Sequence, residues 1–209
     1  GGTTVMRLAD AELIPYEYTA LAETIGKYVT ELEKLLKDKQ EEIKERNLEL
    51  KEGVFAAVAD PHKTSVPPPH ETDPPYMNFA PLKNGVESIK RSADRYQAAF
   101  AKAQGAPALS AQALNSLNTD LLKIQRTFLT DRGLPERPWF RHQVYAPGAY
   151  TGYGAKPIAA VREYMDAKKW AEADAQVPMV AKVLEDVAAA IGKAADELEA
   201  ATASGQAKP

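Results

Sequence analysis

Three histidines, His62, His70 and His142, are the side chains of this sequence best suited to binding a metal or moving a proton. Two of them stand in a proline-rich stretch beside three carboxylates, namely Asp60, Glu71 and Asp73. Imidazole and carboxylate groups are zinc ligands, so residue type alone allows a metal site there. Nothing in the stretch fixes these ligands rigidly, and no His-Glu-x-x-His or His-x-Asp arrangement occurs. Because cysteine and a Gly-x-Ser-x-Gly turn are also absent, we predict neither a metal site nor a catalytic residue in this chain.

A second group of polar side chains lies within residues 133–153, GLPERPWFRHQVYAPGAYTGY. Prolines and glycines exclude a helix here, and five aromatic residues argue against disorder, so we predict a long ordered loop. Within it, Arg137, Arg141 and His142 could form an anion-binding or catalytic cluster. The simpler interpretation is structural, because a long ordered loop leaves many carbonyl groups for buried arginines to bind. Tyr145 is expected to help pin the same loop.

The composition argues against two classes of partner. Lys and Arg number 26 and Asp and Glu number 29, so the net charge of −3 gives no reason to expect a nucleic-acid partner. No apolar run approaches the roughly 20 residues that a membrane span needs, so we expect no membrane insertion by this chain. Gly1 and Gly2 resemble a cloning remnant, from which we expect the natural protein to extend upstream of Thr3.

The elements that must position these side chains are helices. Apolar residues recur at three- and four-residue intervals and predict an all-α, up-and-down bundle of four to five main helices. A short amphipathic segment over 6–14 comes first, and the predicted helices follow: 16–52, Pro81 to about 104, a Ser110 N-cap through Leu129, 157–168 and 170–202. Pro178 predicts a kink or a late start in the last helix.

Two stretches depart from the helical pattern. Residues 53–81 hold seven of the 15 prolines and are predicted to be a linker or a surface excursion. Residues 37–52, KDKQEEIKERNLELKE, carry charges at helical spacing and are either a solvated helix arm or an arm that faces a partner.

Four short motifs in fixed order give the loop a family resemblance: Gly133-Leu134-Pro135, Arg137-Pro138, Arg141-His142 and Tyr145-Ala146-Pro147. Together they resemble the C-terminal helical domain of the glutamate carboxypeptidase II and transferrin receptor family, the transferrin-receptor-like dimerisation domain. The resemblance extends to residues 8–16 and to Trp170-Ala171-Glu172 and its helix. It implies three parts: residues 1–15 as remnant and linker from an upstream peptidase-like domain, 16–202 as the dimerisation domain, and 203–209 as a frayed tail.

The resemblance also implies a function. The family's peptidases bind zinc on an upstream domain, so zinc is expected there and no cofactor is expected in this chain. Their helical domain forms the homodimer and lends the substrate pocket a loop that carries Asn, Lys and Tyr after Tyr-Ala-Pro. The matching positions here are Thr151, Gly152 and Tyr153, of which only the tyrosine is kept. This departure puts glutamate preference in doubt; Tyr153 could instead be a packed loop aromatic, and Lys156 could supply a substitute cation.

Self-association is expected through the helices. The first and third helices carry more apolar surface than one small bundle needs, and a two-fold interface would cover it. The residues predicted to form this interface are Leu117, Leu121, Ile124, Phe128, Leu32 and Leu36. A free-standing helical module that binds a protein or peptide is the alternative function. The compartment is left open by the residues, although the family is commonly extracytoplasmic, and a parent that is a catalytically dead receptor-like relative is also left open.

Overall fold

The computed structural model describes residues 1–60, 62, 64, 66–149 and 152–206. The regular elements of that part of the chain are α1 (Gly2–Asp10), α2 (Tyr18–Lys51), α3 (Val54–Ala57), α4 (Ala80–Gln104), α5 (Ala111–Thr127), β1 (Tyr145–Pro147), β2 (Ala155–Pro157), α6 (Ala159–Asp166) and α7 (Trp170–Gln206). The predicted all-α bundle is confirmed, since the described residues are dominated by helix and their sheet is one short antiparallel hairpin.

Helix α7 is the centre of the bundle, because it contacts α4, α5 and α6. Its buried face carries Val180, Leu184, Val187 and Ile191 among many alanines, whose small side chains let neighbouring helices approach closely. Gly85 of α4 marks one such approach, since a Cβ there would stand 2.8 Å from the Cβ of Leu184. The structure packs α5 against α7.

The residues predicted to form the dimer interface lie in the core of the single chain. All six have buried side chains: Leu32, Leu36, Leu117, Leu121, Ile124 and Phe128. They belong to one hydrophobic cluster with the buried face of α7. The expectation that these side chains present surplus apolar surface is therefore corrected: α4 and α7 together bury the faces of α2 and α5 that the sequence left unassigned.

The proline-rich excursion is fastened to the charged arm of α2. The Glu71 carboxylate accepts a hydrogen bond from Arg46 at 2.6 Å and also pairs with Lys168, which follows α6. Its backbone N–H and C=O bond the side-chain amide of Asn47 at 3.1 and 2.8 Å. Farther along, Met77 and Phe79 enter the core. One side of the charged arm of α2 thus packs against the proline-rich excursion of the same chain.

Element boundaries agree with prediction where capping chemistry is local. Ser110 accepts from the N–H of Ala113 at 3.2 Å and starts α5, and Gly53 ends the α2 region with a φ of 72°. The predicted helix start at Pro157 is wrong, because that residue closes β2 and α6 begins at Ala159. The late start of the last helix is also wrong, since α7 begins at Trp170 and Pro178 lies inside it.

Both ends of the chain contain more helix than the pattern indicated. Helix α1 begins at Gly2, and α7 continues to Gln206 although fraying was expected from Ala203. The segment between α1 and α2 is held by Asn118 of α5, which accepts from the N–H of Ile14 at 3.0 Å and donates to the carbonyl of Glu12 at 2.7 Å. Among the described helices, none is both long and apolar enough to cross a membrane.

Candidate functional site: the loop between α5 and α6

The loop over residues 128–158 is closed at its base by strand-like pairing. The N–H of Thr130 donates to the carbonyl of Arg141, and the N–H of Gln143 donates to the carbonyl of Phe128, both at 3.0 Å. The Gln143 side chain is buried and donates to the Thr130 hydroxyl at 2.8 Å. Two backbone bonds and a buried amide therefore fix where the loop leaves α5.

Residues 133–140 form a tight turn with left-handed backbone at two positions. Gly133 has a φ of 68°, and a Cβ there would stand 2.1 Å from the carbonyl oxygen of Pro138, so only glycine fits. Glu136 has a φ of 62°, which is uncommon for a residue with a side chain. The turn is held by an N–H of Leu134 that donates to the carbonyl of Phe140 at 2.8 Å.

Arg137 ties the turn, the hairpin and α6 together. Its guanidinium donates to the carbonyl of Pro147 at 2.5 Å and to the carboxylate of Glu163 at 2.7 Å, and it lies 5.1 Å from the centre of the Phe140 ring. The same Glu163 oxygen accepts from the N–H of Ala149 at 2.8 Å. Because Arg137 is only 7% exposed, this arrangement is a buried clamp whose charge is compensated by one carboxylate.

Arg141 lies near the surface. Its Nε donates to the carbonyl of Thr130 at 3.1 Å, and its guanidinium pairs with the exposed carboxylate of Asp131. It therefore contacts a loop carbonyl from a half-exposed position, unlike the buried Arg137.

His142 is enclosed by two aromatic rings. It stacks on Phe128 with ring centres 5.1 Å apart and on Tyr145 at 4.2 Å. Its Nδ1 accepts from the backbone N–H groups of Val144 and Tyr145, each at 3.3 Å, which assigns the proton of the neutral ring to Nε2. Burial lowers the pKa of His142, since the charged imidazolium would lose water. The ring is thus a neutral acceptor inside a stack.

The hairpin carries the positions matched to the family's substrate loop. Strand β1 pairs antiparallel with β2, and the N–H of Gly148 donates to the carbonyl of Gly154 at 2.9 Å. Thr151 lies outside the described residues. Gly152 is left-handed with a φ of 62°, and Tyr153 is fully exposed. Lys156, considered as a substitute cation, pairs with Asp166 of α6.

A shallow cavity of about 450 Å³ lies beside the hairpin. Arg137 and Glu163 contribute to its lining, Gly152 stands at the hairpin edge, and the exposed ring of Trp139 stands at its rim. It adjoins a smaller cavity lined by Glu136 and Lys169, which pair at 3.3 Å. The surface carries the exposed Trp139 ring at its edge, and its charges are paired, Arg137 with Glu163 and Glu136 with Lys169.

The four side chains predicted to hold the loop in place all lie within it. Arg137, Arg141 and His142 each bond loop backbone, and Tyr145 stacks on His142. Arg137 Nε and His142 Nε2 are buried and have no hydrogen-bond partner among the described residues. No group of three or more potential metal-ligating side chains occurs in the described part of the chain.

Sequence reasoning missed Glu163, although it holds both Arg137 and the hairpin. The two residues of the ion pair are 26 positions apart, so helical or strand spacing could not have connected them. The one available hint was chemical, since a buried arginine predicts a carboxylate partner somewhere in the fold.

Comparison with known proteins places this loop in a family. The family model of the transferrin receptor-like dimerisation domain matches residues 77–192. The probable glutamate carboxypeptidase LAMP1 of Arabidopsis thaliana is 28% identical over 169 residues, which is 80% of this chain and 19% of that protein. A probable glutamate carboxypeptidase of Arthroderma benhamiae is 43% identical over 51 residues, 24% of this chain and 7% of that protein. The chain thus spans less than a fifth of either relative.

Proposed function

We propose a function from one premise: the chain belongs to the transferrin receptor-like dimerisation domain family. In this proposal it is the non-catalytic homodimerisation domain of a longer glutamate carboxypeptidase-like protein. Its hairpin lends a surface to the substrate pocket of a peptidase domain in that protein. The peptidase domain supplies the catalytic chemistry, including any zinc, and this chain supplies association and a wall of the pocket.

The observation that carries the second role is the contrast between the base and the tip of the hairpin. The base is fixed by the Arg137 clamp, by the His142 stack and by the Lys156–Asp166 ion pair. Tyr153, in contrast, projects into solvent with no neighbour covering it among the described residues. A rigid base with an exposed aromatic tip suits contact with a second surface, because little ordering entropy remains to be lost on docking.

The same geometry favours an aromatic or hydroxyl contact over a charge contact. Gly152 has no side chain, and the Lys156 ammonium is already compensated by Asp166. We therefore propose that Tyr153 positions substrate through its ring and hydroxyl, and that the loop gives no strong preference for a terminal glutamate.

The test uses the full-length protein with Tyr153→Phe and Tyr153→Ala variants, and with Tyr76→Ala as a control. Tyr76 is also an exposed tyrosine, but it lies in the proline-rich excursion. We expect the Tyr153 variants to raise KM for peptide substrates while Tyr76→Ala leaves KM unchanged, since only one ring lies in the proposed pocket wall. Equal kinetics for all four proteins would reject the substrate-loop role.

The association role is tested separately by sedimentation equilibrium of this chain. One copy has a mass of 22.8 kDa, so a homodimer has twice that mass at high concentration. A single-copy mass at every concentration up to the solubility limit would reject homodimerisation by this domain.

A further inference from the structure

The outer face of α5 has an unusual composition for a solvent-exposed helix surface. Only two of its nine exposed residues are charged: Ala111, Gln112, Asn115, Ser116, Thr119, Leu122, Lys123, Gln125 and Arg126. On α2, eleven of the fifteen exposed residues are charged. Charged residues are depleted at the core of protein interfaces, whereas solvated helix faces usually carry them.

Exposed leucines lie on this same face. Leu122 is 56% exposed and Leu129 is 40% exposed, although the preceding residue in each case, Leu121 or Phe128, is buried in the core. Leu122 lies on α5, and Leu129 follows two residues after the end of that helix. The two exposed leucines therefore lie outside the core face of the helix.

The face continues from α5 onto the loop. Leu129 stands opposite His142 in an antiparallel bridge, and Tyr145 stacks on His142 with 47% of its surface exposed. Leu122, Leu129 and Tyr145 thus mark a ridge from the middle of α5 to the first residue of β1. We call this ridge, with the exposed residues around Leu122, the α5 face.

A second copy of the chain is the occupant that these observations favour. The residues matched by the dimerisation-domain model, 77–192, include all of α5 and the hairpin but leave out α2. A two-fold axis would set the α5 face against itself, and a face that carries few charges can meet its own copy with little repulsion. The charges nearby do not oppose this, since Lys123 pairs with Asp120 at 3.0 Å and the long Arg126 side chain can reach the rim.

Area indicates how far this contact must extend. Helix α5 has 17 residues and is about 25 Å long, so its outer face offers roughly 300 Å². A standard interface takes about 800 Å² from each partner. The helix alone is too small, and the contact must include the loop side of the ridge at Leu129 and Tyr145.

We propose that the α5 face is the surface through which two copies of this chain associate. This inference rests on the proposed homodimer and names the interface within it. The α5 face takes the place of the buried residues that the sequence predicted at the interface. It also connects the association surface to the loop that carries the proposed substrate hairpin.

Sedimentation equilibrium of Leu122→Glu and Leu129→Glu tests the proposal, with Leu48→Glu as the matched control. Leu48 is 53% exposed on α2, so it receives the same change at similar exposure away from the α5 face. We expect each α5-face variant to weaken dimerisation at least about tenfold, because two carboxylates would meet near the axis, and Leu48→Glu to leave it unchanged.

Each outcome has one meaning. A wild-type dimer that dissociates equally in all three variants, or in none, overturns the α5 face and leaves the homodimer standing. A wild-type chain that is monomeric throughout overturns the homodimer itself. Circular dichroism should match wild type in all variants, since the three leucines are exposed.

A second measurement keeps the proposal testable if a glutamate variant fails to fold. The chain has no cysteine, so Thr119→Cys on the α5 face and Thr24→Cys on α2 each introduce one thiol. Both threonines are exposed. A short bismaleimide should cross-link two copies of Thr119→Cys and spare Thr24→Cys. Cross-linking of Thr24→Cys with none at Thr119→Cys would overturn the proposal.

Discussion

We expect removal of the Arg137 side chain to destabilise the loop more than removal of any neighbouring charged side chain. Arg137→Ala deletes bonds to the Pro147 carbonyl and to Glu163, and it leaves that carboxylate without its cation. Breaking a buried ion pair costs about 3–5 kcal/mol. The Glu163 side chain is 21% exposed, so water can partly solvate its carboxylate in the variant. This favours the lower end of that range, a loss of about 3 kcal/mol in the free energy of unfolding.

The measurement is thermal unfolding combined with hydrogen exchange. For a chain of this size a loss of 1 kcal/mol lowers Tm by about 2–4 °C, so Arg137→Ala should lower Tm by roughly 6–12 °C. The amide of Ala149 should also exchange faster, because its acceptor Glu163 is no longer held in place. If the loop unfolds locally while the helical bundle stays folded, the exchange rate of the Ala149 amide will rise and Tm will change little.

Arg162→Ala is the matched control for this prediction. Arg162 lies next to Glu163 on α6 and pairs with Glu31 at 3.4 Å, and the two side chains are 28% and 53% exposed. Such a pair contributes about 0–1 kcal/mol, so Tm should fall by at most about 4 °C. The clamp interpretation is refuted if the two arginine variants melt together and Ala149 exchanges at the wild-type rate in both.

Two further predictions concern His142 and Glu71. Because burial lowers the pKa of folded His142, its stabilising contribution is complete above the unfolded pKa of about 6.5 and is lost as pH falls below it. The free energy of unfolding of wild type should therefore decline more steeply than that of His142→Gln as the pH falls below about 6.5, and parallel pH curves would reject the neutral-acceptor role. Hydrogen bonding from Lys168 is the main cause that lowers the pKa of Glu71. Because the Glu71 carboxylate also binds Arg46 and so fastens the proline-rich excursion to α2, we expect Glu71→Ala to release the excursion and speed its limited proteolysis. Asp73→Ala, an exposed carboxylate two residues on, should not do so, and equal cleavage of both variants would count against the fastening.

Helix ends that are set by local hydrogen bonds could be predicted from the sequence, whereas contacts between distant elements could not. Ser110 caps α5 and Gly53 ends α2 through bonds that span a few residues, so sequence alone located both ends. The hairpin was missed because three-residue strands are too short to show alternation and because Pro157 also suits a helix start. The partner of Arg137 was missed because it lies on another element.

The error in the interface prediction has a specific physical origin. An apolar helical stripe records that a face is buried, but it does not record whether the same chain or a second copy buries it. Here the alanines of α7, such as Ala181 and Ala188, keep that helix narrow enough for several neighbours to contact it. Alanine-rich helices look weakly apolar in sequence, so the capacity of α7 to cover α4, α5 and α6 was underestimated.

Neighbouring leucines on α5 show what this distinction means for experiment. Leu121 is fully buried and Leu122 is 56% exposed, so one step along the helix separates the core from the proposed interface. A glutamate at Leu121 would bury an unpaired charge and destabilise the monomer. Loss of dimer in that variant would therefore report unfolding, whereas loss of dimer in Leu122→Glu with helicity retained reports the surface itself. Only the second position can decide how two copies meet.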